Sequence, residues 1–181
     1  MRLFIATDIS EDVKQEIERI KQPFSEIKGV KPVRKENMHI TLKFLGEVKE
    51  DYVSKIKNAL SKVSFEPFKM SIDKIGYFPN EKQIRVLWID AVPVEPLAKL
   101  KKQIDAVLPE YKDNYTSFSV HLTFARVKYI ANDEDKKKLL EFVTNTKFEK
   151  KEFVVDKFKL YQSTLSLEGP VYEDLASFPN T

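Results

Sequence analysis

The chain has 181 residues, no cysteine and a net charge of +3, with apolar residues at 42% and charged residues at 33%. Disulfides and thiolate chemistry are thereby excluded, and no apolar run approaches the length of a membrane span. The composition suits one domain of ordinary size, or two small lobes on one core; its Lys/Glu richness fits a thermophilic source and its mild basic surplus is compatible with a polyanionic ligand. Lysine runs such as Lys136-Lys137-Lys138 are ordinarily solvated helix surface.

In chain order, Met1–Ala6 runs into Asp8 too soon for a secretory signal, and Leu3–Asp8 reads as a buried strand. Ser10 is a good N-cap, with Glu11 and Asp12 placed for the helix dipole. Val13, Ile17, Ile20, Phe24 and Ile27 follow helical spacing, although Pro23 should kink or end that helix. A turn at Gly29 leads to an extended segment from Lys31-Pro32 that continues as Asn37–Val48. A second helix carries Val53, Ile56, Leu60 and Val63. Two strands follow, Phe68–Phe78 and Gln83–Val92, joined by the hairpin residues Pro79-Asn80-Glu81-Lys82.

The second half repeats the plan. Leu97, Leu100, Ile104 and Val107 define a helix ending near Pro109, and Ser117–Val127 is a strand. Asn132 caps a further helix through Leu139 and Val143. Lys151–Tyr161 reads as one strand, and Glu168-Gly169-Pro170 as a turn before Val171 and Tyr172. The expectation is an α+β fold with an internal duplication across residues 1–181, in the cytoplasm and as a monomer.

Both of the chain's two histidines occupy the same frame, His39-Ile40-Thr41-Leu42 and His121-Leu122-Thr123-Phe124. Threonine is uncommon here, so the double match is roughly a one-in-a-thousand coincidence. On a strand, residues i and i+2 share a face. His39 and Thr41 therefore point one way, as do His121 and Thr123, while Ile40, Leu42, Leu122 and Phe124 point toward covering helices. A two-fold relation between the halves puts both pairs into one groove. Two imidazoles and two hydroxyls suit attack on a phosphodiester: one imidazole takes a proton, the other gives one, and the hydroxyls hold the phosphoryl oxygens. The residues leave open which histidine does which. No metal or cofactor is required, and two distant histidines without cysteine make a poor zinc site. A lone strand histidine is ordinarily structural; the repeated frame is what favours catalysis.

These motifs resemble the 2H phosphoesterase superfamily, and within it the bacterial and archaeal RNA 2′,3′-cyclic phosphodiesterases, also called 2′-5′ RNA ligases. The likeness spans Met1–Ala6, Asn37–Gly46, His121–Val127, Ser163-Thr164-Leu165 and Gly169–Tyr172. It implies a bilobal α+β fold of two antiparallel sheets, helices outside and both His strands lining a central groove. It implies metal-independent hydrolysis of a 2′,3′-cyclic phosphate to a 2′-phosphate on RNA ends or small cyclic nucleotides. Carried over, His39 is the proton donor and His121 the acceptor. Phe44 and Arg126, each five residues past a histidine, flank a nucleobase; Arg126 can alternatively reach the phosphate. Strict alternation puts both on the wrong face, so a bulge must re-aim them, or they merely pack. Tyr172 and Ser163 match family positions, with turn and core packing as the plainer account. Arg34 lies near enough to meet RNA phosphates, though an exposed arginine is usually solvated.

Two other functions compete with hydrolysis. Joining a cyclic-phosphate end to a 5′-hydroxyl is the same exchange with ribose replacing water, and no phosphate-binding Gly-Lys loop supports an ATP-dependent version. A non-catalytic RNA-end binding module is the third, distinguished by having no turnover to lose.

Overall fold

The computed structural model describes residues 1–112 and 118–179. Nine strands and four α-helices follow one another among them: β1 (Arg2–Asp8), α1 (Glu11–Ser25), β2 (Val30–Pro32), β3 (His39–Glu47), α2 (Glu50–Leu60), β4 (Phe68–Asn80), β5 (Gln83–Val92), α3 (Val94–Val107), β6 (His121–Val127), α4 (Asp133–Asn145), β7 (Glu152–Val155), β8 (Phe158–Ser166) and β9 (Gly169–Phe178). A short 3-10 turn, Lys35–Asn37, precedes β3. They form two antiparallel sheets, in the orders β3-β1-β8-β9 and β2-β6-β5-β4-β7.

The two halves correspond but are interleaved. In each, a first strand (β1 or β5) pairs with the His strand (β3 or β6) of its own sheet. The helix after that first strand crosses to the other sheet: α1 packs on β2 and β6, and α3 packs on β3. Strands cross too: β2 and β4 of the first half join the sheet of β5 and β6, and β8 and β9 of the second join that of β1 and β3. Cutting the chain between the halves would leave each sheet without two of its strands and a helix. This exchange explains why no linker-like composition marks a boundary.

Alternation supplies the core. Ile40 and Leu42 on β3, and Leu122 and Phe124 on β6, are buried. Phe124 meets Phe24 of α1 edge-to-face, ring centroids 5.2 Å apart, a geometry favoured by the aromatic quadrupole. Docking of Phe24 carries α1 two residues past Pro23 to Ser25, beyond the point where proline alone would stop it. None of the helices is long and apolar enough to cross a membrane, among the described residues.

Several local expectations change. Ser10 occupies the N-cap position of α1, but its hydroxyl makes no capping bond and is buried without a partner. Asn132 does cap α4, its Oδ1 accepting from the Asp135 amide at 2.8 Å. The hairpin between β4 and β5 turns on Glu81-Lys82, with Asn80 Oδ1 accepting from the Lys82 amide at 3.0 Å. Lys151–Tyr161 is two strands in different sheets, not one, because β7 pairs with β4 and β8 with β1. The late turn falls on Leu167-Glu168, leaving Gly169 and Pro170 in β9. β6 begins at His121; Ser117 lies outside the described residues.

Candidate active site

β1 and β3 pair in register from Asp8↔His39 through Ala6↔Thr41, then skip Leu42 before Ile5↔Lys43 and Phe4↔Phe44. The extra residue is a bulge, and it turns Phe44 onto the face of His39 and Thr41, opposite Phe4, Ala6 and Asp8. The second half does the same: Asp90↔His121 and Trp88↔Thr123, a skip at Phe124, then Leu87↔Ala125 and Val86↔Arg126. Arg126 thereby joins the face of His121 and Thr123. The burial of His39–Leu45 matches that of His121–Val127 residue by residue. The bulges are equivalent, three residues past each histidine.

His39 is held from both ring nitrogens. Nδ1 lies 2.7 Å from the Asn37 carbonyl oxygen. A carbonyl only accepts, so Nδ1 carries a proton and Nε2 is the exchangeable nitrogen. Nε2 is 3.0 Å from the Thr41 hydroxyl. Asn37 is itself tied to the start of β9, its amide donating to the Pro170 carbonyl at 2.9 Å. Phe4 lies 5.0 Å from the His39 ring, Tyr172 5.3 Å and Tyr161 6.4 Å, centroid to centroid. Burial in this aromatic setting pushes His39 down to about 4, although the Asn37 carbonyl and the Asp8 charge oppose it. Desolvation disfavours the imidazolium.

His121 is more loosely dressed. Its Nδ1 is 3.1 Å from the Ser119 hydroxyl, which can donate or accept, so its tautomer is not fixed. Phe78 meets its ring edge-on at 5.0 Å and Trp88 lies 6.0 Å away. Burial lowers its proton affinity too.

The remaining expected residues divide. Phe44 is 53% exposed, beside Phe4 at 6.2 Å. Arg126 is exposed, and its positive charge acts against a proton on His39. Burial raises Tyr172, and the Arg126 charge works against that rise as well. β3 and β6 lie against each other where the sheets meet, so the charge of Arg126 in one sheet acts on the histidine of the other. Tyr172 is packed on Phe4 and His39. Ser163 pairs across from Tyr172 and shares the face of Tyr161. Arg34 ion-pairs with Glu168 at the β8–β9 turn. Sequence reading missed Asn37 as the His39 anchor, and missed Phe4, Asp8, Tyr161, Phe78, Trp88 and Ser119. The cross-strand positions of Asp8 and Asp90 could have been found by laying each first strand against its His strand.

The depressed affinity of His39 has a consequence for stability. Its folded value of about 4 lies below the ordinary 6.5, so the unfolded chain binds more protons between those limits. Stability is therefore full above about pH 6.5 and falls as pH drops toward 4, by about 3 kcal/mol from this group. Urea denaturation of wild type and His39→Gln at pH 7 and 4.5 checks it: the variant should lose less on acidification.

Fold and site together define a duplicated α+β phosphoesterase class. The chain belongs to the LigT-like phosphoesterase family, whose profile matches residues 8–88 and again residues 89–172. It is 42% identical to the RNA 2′,3′-cyclic phosphodiesterase of Methanocaldococcus jannaschii, over 96% of this chain and 97% of the relative. It is 36% identical to the protein of the same name from Archaeoglobus fulgidus, over 98% and 99%. A crystal structure from Thermus thermophilus matches with a TM-score of 0.83 at 28% identity, covering 98% of this chain and 97% of that one.

Proposed function

We propose that this chain is an RNA 2′,3′-cyclic phosphodiesterase that works by paired-imidazole acid–base catalysis without a metal. The observation that carries the proposal is the matched pair of bulges, which gathers a histidine, a threonine and the fifth residue onto one sheet face in both halves. The two faces together form one groove, in a single bilobal unit of 181 residues acting as a monomer. The relatives named for this reaction match the chain nearly end to end.

In this reading, the cyclic phosphate sits between the imidazoles. His121 takes a proton from water as its oxygen attacks phosphorus. The bond to the 3′ oxygen breaks, and Nε2 of His39 protonates that oxygen, leaving a 2′-phosphate and a 3′-hydroxyl. Thr41, Thr123 and Arg126 hold the phosphoryl oxygens, where charge builds up. Phe44 offers a nucleobase its exposed ring, with Tyr172 and Ser163 along the same side. An RNA substrate suits a cytoplasmic enzyme.

The test is incubation of purified protein with nucleoside 2′,3′-cyclic phosphates and a cyclic-phosphate-ended RNA in excess EDTA. Conversion to the 2′-phosphate is expected. No turnover, or turnover only after a divalent metal is restored, contradicts the proposal. Joining to an added 5′-hydroxyl RNA in preference to hydrolysis would make the ligase the main activity.

A further inference from the structure

The two histidines sit in nearly equivalent frames, yet their neighbours on the adjoining strands differ. Asp8 ends β1 directly across from His39, and Asp90 stands directly across from His121. Such cross-strand partners share a face with Cβ atoms about 5 Å apart. One strand further on, the equivalence breaks. Phe4 pairs with Tyr161, whereas its counterpart Val86 pairs with Phe78. One half has a hydroxyl where the other has bare ring.

That hydroxyl is used. Tyr161 donates to Asp8 Oδ1 at 2.7 Å, and Lys159 Nζ stands 2.9 Å from Asp8 Oδ2. Lys159 is shared with Asp174 of β9 at 2.8 Å. Both carboxylate oxygens of Asp8 are therefore clamped. Burial raises its proton affinity, but the Tyr161 bond and Lys159 outweigh this and hold it below the ordinary carboxylate range. Asp8 is therefore an anion at neutral pH. Asp90 is anchored differently, its Oδ1 accepting from the Lys74 amide at 2.8 Å, and burial raises it.

The charged and titratable groups around His39 come from five elements: Asp8 on β1, Lys14 on α1, Arg126 on β6, Tyr161 and Lys159 on β8, and Tyr172 and Asp174 on β9. Lys14 and Arg126 oppose a proton on the ring, and Asp8 favours one. The Asn37 carbonyl fixes the tautomer, which leaves Asp8 as the charge that can set how firmly Nε2 holds its proton.

We propose that Asp8, clamped by Tyr161 and Lys159, is a positioning residue whose fixed charge works against the burial of His39 and raises the ring's ability to carry the proton it donates. His121 faces Asp90, which Lys74 holds but no tyrosine hydroxyl does. The inference rests on the acid–base reading above.

With only two histidines in the chain, their imidazole resonances can be titrated individually by NMR in the ligand-free protein, assigned with His39→Gln and His121→Gln. Asp8→Asn should lower the His39 midpoint by about one unit and leave His121 where it was. Tyr161→Phe, which keeps the ring and its packing, should move His39 the same way by less. Asp90→Asn should leave His39 where it was. On cyclic phosphate at pH 7, Asp8→Asn should reduce kcat about tenfold with little change in KM. An unmoved His39 in both Asp8→Asn and Tyr161→Phe overturns the proposal, as does an equal shift of both histidines. Since the titration needs no substrate, absent turnover in wild type would refute the phosphodiesterase reading separately.

Discussion

Replacing either His39 or His121 with alanine is expected to lower kcat for a cyclic phosphate about a thousandfold, with KM changed little. General acid or base catalysis by one placed group contributes on the order of 10²–10⁴, which at a thousandfold is about 4 kcal/mol of transition-state stabilisation. The reason to expect so much from each is the economy of the site. His39 is the one side chain in its half whose exchangeable nitrogen is set by geometry, with Nδ1 committed to the Asn37 carbonyl at 2.7 Å. The same face holds no second histidine to take over. The losses should not add: once one proton transfer fails, removing the other partner takes away little more. Steady-state kinetics on the two single variants and the double variant decide it. A double variant a millionfold slower than wild type would mean two independent contributions, and single variants near wild-type rate would remove the imidazoles from the chemistry.

Gly76→Val should destabilise the protein by about 3 kcal/mol, although valine ordinarily favours a strand over glycine. Gly76 pairs with Trp88 across β4 and β5, and the indole lies over it. A Cβ at this position would stand 2.3 Å from two ring carbons of Trp88, well inside contact distance. The indole cannot simply lift away, because Phe78 packs on it at 5.2 Å and Thr123 is its cross-strand partner. It would move toward His121, so turnover should fall along with stability. Trp88 is the chain's one tryptophan, so its fluorescence during urea denaturation reports both the site and the global transition. An unchanged midpoint would mean that the ring is free to rearrange.

Much of this was legible in the sequence because it depends on short-range pattern. The His-x-Thr frames have a strand's two-residue period, and the buried partners Ile40, Leu42, Leu122 and Phe124 follow from it. The need for a bulge was also legible, since Phe44 and Arg126 could share a face with the histidines only if alternation failed once. Its location, at Leu42 and Phe124, was not, because a bulge is set by register against a strand distant in sequence. The same holds for the interleaving. A break at Asp156-Lys157 sends β7 and β8 to different sheets, and nothing in the composition of Lys151–Tyr161 marks it. The long-range contacts around His39 were hidden for that reason: Tyr161 reaches Asp8 across 153 positions of chain. Ser10 erred the other way. A good capping residue stands at the right position, but its hydroxyl is buried and makes no capping bond.

The central claim is that the two frames act as one proton-transferring pair. The pH dependence of kcat/KM for a nucleoside 2′,3′-cyclic phosphate, measured in EDTA between pH 4 and 9, tests it most directly. A bell is expected, with both limbs in the acidic to neutral range because burial lowers both imidazoles; each single histidine variant should keep residual turnover and lose one limb. A profile flat across that range, or a bell that survives intact in either variant, would contradict the account.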